Sequence, residues 1–118
     1  MIKVEELFIA PTATVLETLR KLDETGQRIL FIAPEGHLKA VITDGDIRKF
    51  FLRGGTPDKT VDHAANYHPL SVSVSERGKA RSILQEHCID ALPVLNKRGI
   101  ITDIVFAHGL DLDNRKQV

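Results

Sequence analysis

The chain has 118 residues, of which 42% are hydrophobic and 27% charged, the composition of a globular protein of one domain or of two half-size units sharing a core. Its sixteen Lys and Arg balance sixteen Asp and Glu, which argues against a nucleic-acid binder but leaves room for a small basic patch around one nucleotide. No apolar run reaches the ~20 residues of a bilayer span, the opening MIKVEELFIA does not read as a signal peptide, and the single Cys88 excludes an internal disulfide and predicts a cytoplasmic protein.

In chain order, Thr14 and Glu17 form a T-x-x-E capping box, and Val15, Leu19 and Leu22 recur on one helical face until Gly26 ends the helix. Residues Arg28–Ala33 predict an apolar strand, Pro34-Glu35-Gly36 a turn and Leu38–Thr43 a returning strand. A second helix follows over Asp44–Arg53, with Ile47, Phe50 and Phe51 inward, stopped by Gly54-Gly55. The stretch GGTPDK at Gly54–Lys59 is the best boundary in the chain. A short helix near Val61–Ala65 precedes His68-Pro69, and Leu70–Val74 alternates like a strand. Ser75 is placed to cap a helix running to about His87, with Ala80, Ile83 and Leu84 inward and Cys88 in the core beside them. Ala91–Leu95 and Ile100–Val105 form a second hairpin, and Asp111–Val118 a polar tail.

The chain therefore reads twice. Laying Leu30–Ile47 on Pro93–Leu110 pairs apolar positions throughout (Phe31 with Val94, Leu38 with Ile101, Val41 with Ile104, Ile47 with Leu110), although only Gly36 and Gly99 are identical. Each half predicts strand–helix–strand–strand–helix. A half of about 55 residues is too small to be comfortable alone, so the fold expected is α+β, two β-α-β-β-α motifs packed with pseudo-twofold symmetry and a cleft where they meet. The boundaries expected are residues 1–55 and 56–112, with 113–118 as tail.

VITDGDIRKFFLRGG at Val41–Gly55, DALPVLNKRG at Asp90–Gly99 and IAPTATVLETLRKLDETG at Ile9–Gly26 together resemble a tandem pair of CBS domains, the regulatory modules named after cystathionine β-synthase. TDGDIR at Thr43–Arg48, with the IAPTAT start, is similar to the CBS pair N-terminal to sugar-phosphate nucleotidyltransferases. The resemblance implies a sensor of an adenine nucleotide (AMP, ADP or ATP), held between the motifs, that acts on a fused or partner enzyme of the sugar-phosphate nucleotidyltransferase class. It implies no obligatory cofactor, no nucleic-acid or membrane partner, and a homodimer, for which Ile47, Phe50, Phe51 and Leu110 are candidate seam residues.

The residues agree with such a ligand. Thr43 and Asp46 form a second capping pair, and a helix start offers free N–H groups and a positive dipole to a phosphate. Thr43 adds a hydroxyl donor, and Asp46 an acceptor for ribose hydroxyls. Arg28, ahead of the first hairpin strand, offers a guanidinium fork; Asp44 and Arg48 lie on the same helical turn. Ile9, Pro11, Ile29 and Phe31 are candidates for an apolar slot for adenine. The second copy aligns Asp103, Phe106 and Gly109 with Ala40, Thr43 and Asp46, so it lacks both hydroxyl and carboxylate, and the glycine usual at the first of these positions is missing from both copies. At most one competent site is expected. The five histidines show no metal-ligand spacing, and no nucleophile or phosphate loop is visible, so no catalytic residue is assigned.

Overall fold

The computed structural model describes residues 3–107. Contacts divide it into two compact units, one formed by Leu7–Pro34 and Leu38–Pro69, the other by residues 3–6, 35–37 and those from 70 onward.

In the first unit, α1 (Val15–Thr25) begins with the full reciprocal capping box expected of Thr14 and Glu17, and ends at Gly26 in the left-handed conformation, φ 70°. Its inward face is Val15, Thr18 and Leu22. Thr18 is fully buried, and its hydroxyl donates to the Thr14 carbonyl at 2.8 Å, so the polar atom is satisfied inside the core. Strand β1 (Ile29–Ile32) pairs antiparallel with β2 (Ala40–Thr43), Ile29 facing Thr43 and Phe31 facing Val41. Single bridges cover both edges: Phe8 lies parallel to Phe31, and Val41 exchanges two backbone hydrogen bonds with Asn66. Leu30, Phe31, Ile32 and Ile42 are fully buried, each side chain contributing about 1.5–3 kcal/mol by leaving water.

Helix α2 (Asp44–Leu52) follows β2 directly. Ile47 and Phe50 face inward as expected, whereas Phe51 is 37% exposed, because neighbouring helical residues point about 100° apart and Phe50 takes the inward direction. Gly55 then lies flat on the Phe50 ring: a Cβ there would sit 2.3 Å from the ring.

In the second unit, β3 (Val72–Ser73) runs parallel to β4 (Ala91–Leu95), which pairs antiparallel with β5 (Ile101–Phe106), in the order β3-β4-β5. Helix α3 (Ala80–His87) packs Ala80 and Leu84 against Val72, Leu92 and Val94. Three expectations are corrected here. The helix starts at Ala80, not after Ser75. A distorted 3₁₀ segment occupies Val74–Lys79, interrupted at Glu76; Gly78 disfavours helix, and the Ser75 hydroxyl is held by that of Ser73. The preceding strand shrinks to Val72–Ser73 accordingly. Cys88 is exposed rather than packed in the core: it closes α3 at φ 53°, which turns its side chain outward.

The two hairpins share a feature that explains their one identity. Gly36 and Gly99 both sit at positive φ, 87° and 80°, where a side chain is strained. Their registers differ, however. Leu30 faces Ile42, but Pro93 faces Ile104, one residue earlier than the ungapped alignment requires, with an irregularity between Val94 and Leu95. The strand-end position of Thr43 thus corresponds to Val105, not Phe106. The helix expected to close the second motif, Leu110 and the expected polar tail fall outside the described residues.

Replacing Gly55 with alanine should force the Phe50 ring to move and destabilise the protein by about 1–3 kcal/mol, read as a lower urea midpoint at unchanged m-value. The Glu17 carboxyl is held below the usual range, first by the Thr14 backbone N–H and then by its hydroxyl. Its stabilising effect is therefore present above the ordinary glutamate pKa and fades as pH falls through the lowered value. In Thr14→Gly, NMR titration should move the Glu17 midpoint upward.

Candidate ligand site at the start of helix α2

Thr43 is at once the last residue of β2 and the N-cap of α2. Its Oγ1 accepts from the Asp46 N–H at 3.1 Å and donates to Asp46 Oδ2 at 3.0 Å, and the Thr43 N–H donates to that same oxygen at 3.0 Å. The Thr43 hydroxyl is thus engaged with Asp46 in the capping box. Asp46 Oδ1 has no hydrogen bond among the described residues, so one carboxylate oxygen of this half-buried side chain remains to accept from a ribose hydroxyl.

The two helix starts of this unit differ in what they leave open. At α1 the first three amides are all engaged: Val15 N–H donates to the Lys59 carbonyl at 2.8 Å, Leu16 to Pro57 at 3.0 Å and Glu17 to the Thr14 hydroxyl at 3.0 Å. At α2 only the third is engaged, by Thr43; Asp44 and Gly45 donate to nothing outside the helix among the described residues. An anion is therefore favoured at α2 and excluded at α1.

Arg28 comes to the same place. Its Nε lies 3.9 Å from Asp44 Oδ2, with both side chains largely exposed, so the pair is weak and exchangeable. Arg28 and Asp44 line a hollow of about 350 Å³ together with Leu19, Leu22, Asp23, Gly26 and Gln27. Arg48 leans back over the first turn, its Nη2 3.9 Å from where a Cβ on Gly45 would be. The fold thus gathers Arg28, Thr43, Asp44, Asp46 and Arg48. Of the apolar candidates, Phe31 is fully buried and Ile29 is 8% exposed, so both serve the core. Ile9 is half-buried, its N–H on the Phe31 carbonyl at 2.9 Å, and Pro11 is half-buried beyond it. Asp23 and Gln27, which also line the hollow, were missed in the sequence; they flank Gly26, whose left-handed turn ends α1 there.

The CBS domain family model matches residues 2–53. The chain has the fold of solved CBS-domain structures. One is a CBS domain protein from Pyrobaculum aerophilum complexed with AMP, at TM-score 0.75 and 20% identity, covering 95% of this chain and 92% of that one. Another is a CBS domain pair in complex with 5′-methylthioadenosine and S-adenosyl-L-methionine, at TM-score 0.74 and 19% identity, covering 87% and 86%. Among curated proteins, arabinose 5-phosphate isomerase GutQ of Escherichia coli O6:H1 is 29% identical over 99 residues. The match takes in 82% of this chain but 31% of that protein, so the chain spans about a third of the length of the curated relatives it matches. No helix among the described residues is long and apolar enough to cross a membrane.

Thr43→Ala should remove the α2 cap and cost about 1 kcal/mol, while Thr43→Ser should keep most of it; the urea midpoints of the two variants separate these outcomes.

Proposed function

We propose that the chain is a regulatory pair of CBS motifs that binds an adenine nucleotide through the first motif and biases an attached or partner enzyme. The observation that supports this most is the open start of α2: two amides are unengaged, Asp46 keeps a spare oxygen, and Asp44 on the same turn lines a hollow together with Arg28. The amides and Arg28 suit the phosphate, and Asp46 the ribose. Neighbouring folds solved with AMP and with S-adenosyl-L-methionine favour the adenosine class. Ligand binding regulates only through different affinity for two arrangements of the protein. The enzyme served is one acting on a sugar phosphate: the curated relatives are arabinose 5-phosphate isomerases, while TDGDIR resembles the nucleotidyltransferase type. The curated matches favour the isomerase.

Calorimetry and thermal unfolding with AMP, ADP, ATP and S-adenosylmethionine test the reading. One of them should bind at a single site and, at a hundredfold excess over its Kd, add about 2.7 kcal/mol of stability. Asp46→Asn and Arg28→Gln should each weaken that binding about tenfold. Absence of any shift, or undiminished binding in Asp46→Asn, would overturn it.

A second reading, a dimerisation module whose site has decayed, draws on the apolar side chains left outside: Leu16 on α1, and Phe51 and Leu52 on α2, exposed by 43%, 37% and 80%. Of the seam residues expected from sequence, Ile47 and Phe50 are core and unavailable, and Phe51 is exposed. Sedimentation of the ligand-free protein should show a dimer that Leu52→Glu converts to monomer without loss of fold; a wild-type monomer removes this reading.

A further inference from the structure

The far end of α2 carries a second hollow, of about 430 Å³, lined by Phe50, Arg53, Gly54, Gly55, Lys59 and His63. Two fixed cations and one titratable imidazole face it, and no carboxylate lines it. Among the described residues neither the Arg53 guanidinium nor the Lys59 ammonium has an ion-pair partner or a hydrogen bond. The carboxylates near in sequence are engaged elsewhere. Asp58 accepts from the Thr56 hydroxyl and Asp62 from the Thr60 hydroxyl, which in each case is the first cause holding the acid below its usual range. Asp62 also lies 4.0 Å from His63 Nε2, and Asp58, next to Lys59 in the chain, feels the Lys59 charge without forming an ion pair with it.

Capping does not account for these cations. The α2 carbonyls of Lys49, Phe50 and Phe51 already accept from the backbone N–H groups of Arg53, Gly54 and Gly55. The wall between them is glycine: Gly54 at φ 96° has open space where a side chain would be, and Gly55 lies against the Phe50 ring. The other wall is held in place, because the Lys59 N–H donates to Thr56, its carbonyl accepts from Val15, and the Val61 N–H donates to Ala13 at 2.7 Å. Two unpaired cations on a pinned frame, around a space the size of a small-molecule site, are complementary to a phosphate dianion carried by a small molecule.

We propose that this hollow binds a phosphate group, as the free ion or as a phosphomonoester, at the opposite end of α2 from its capped start, about 13 Å away along the helix. The inference does not rest on the nucleotide reading. NMR titration of the whole chain with inorganic phosphate should shift Gly54, Gly55, Lys59 and His63 saturably, and the Arg53→Gln/Lys59→Gln double variant should lose about tenfold in affinity. These exposed charges can be neutralised without touching the core, and unchanged amide shifts of Asp44–Asp46 in the ligand-free variant check that the α2 start is undisturbed. Ribose 5-phosphate binding more tightly than inorganic phosphate supports the ester as occupant; equal binding supports the free ion. Equal shifts with sodium chloride at matched ionic strength, or full affinity in the double variant, would overturn the site.

Discussion

The constraint on which the first unit depends is the absence of any loop between β2 and α2. Thr43 belongs to both: its backbone faces Ile29 across the sheet, and its side chain caps the helix. The start of α2 is therefore fixed in the frame of the sheet. Arg28, one residue before Ile29, is delivered beside Asp44 by strand register alone, and the hollow between α1 and α2 follows from it. A loop at this junction would free the helix start to swing and scatter the same residues.

The capping box and the candidate ligand site at α2 draw on the same side chains. Asp46 holds Thr43 with one oxygen and presents the other, so the group that stabilises the helix also orients an acceptor. The contrast with α1 shows that a capping box is not itself a site. Thr14 and Glu17 make the same reciprocal bonds, but the Pro57 and Lys59 carbonyls close the remaining amides. What separates the two helices is whether chain from elsewhere covers the first turn.

Much of this was legible in the sequence. Both capping boxes, the Gly26 stop and the two hairpins were carried by residue types with a local cause: a side chain able to reach its own backbone, or a glycine able to take positive φ. Gly36 and Gly99, the one identity between the hairpins, survive at the position where the backbone needs them. The misreadings fell where the cause is not local. The start of α3 depends on how Val74–Lys79 winds before it, and the outward turn of Cys88 on the closure of that helix. The cations Arg53 and Lys59 were unremarkable in sequence, six residues apart on either side of a turn, and only the packing of Gly55 on Phe50 brings them to one hollow.

The unequal hairpins carry a consequence for how twin modules drift apart. Where Ile32 meets Ala40, its counterpart Leu95 meets Ile101, two steps early; the irregularity beside Val94 takes one step back, so Pro93 meets Ile104 and the strand end arrives one step, about 3.3 Å, out of phase with an ungapped copy. Turn length acts as an address. A duplicated module can lose the placement of its strand-end side chain through a change remote from it, and any attempt to re-create a hydroxyl there must write it at 105, since the neighbouring position projects to the other side of the pleat.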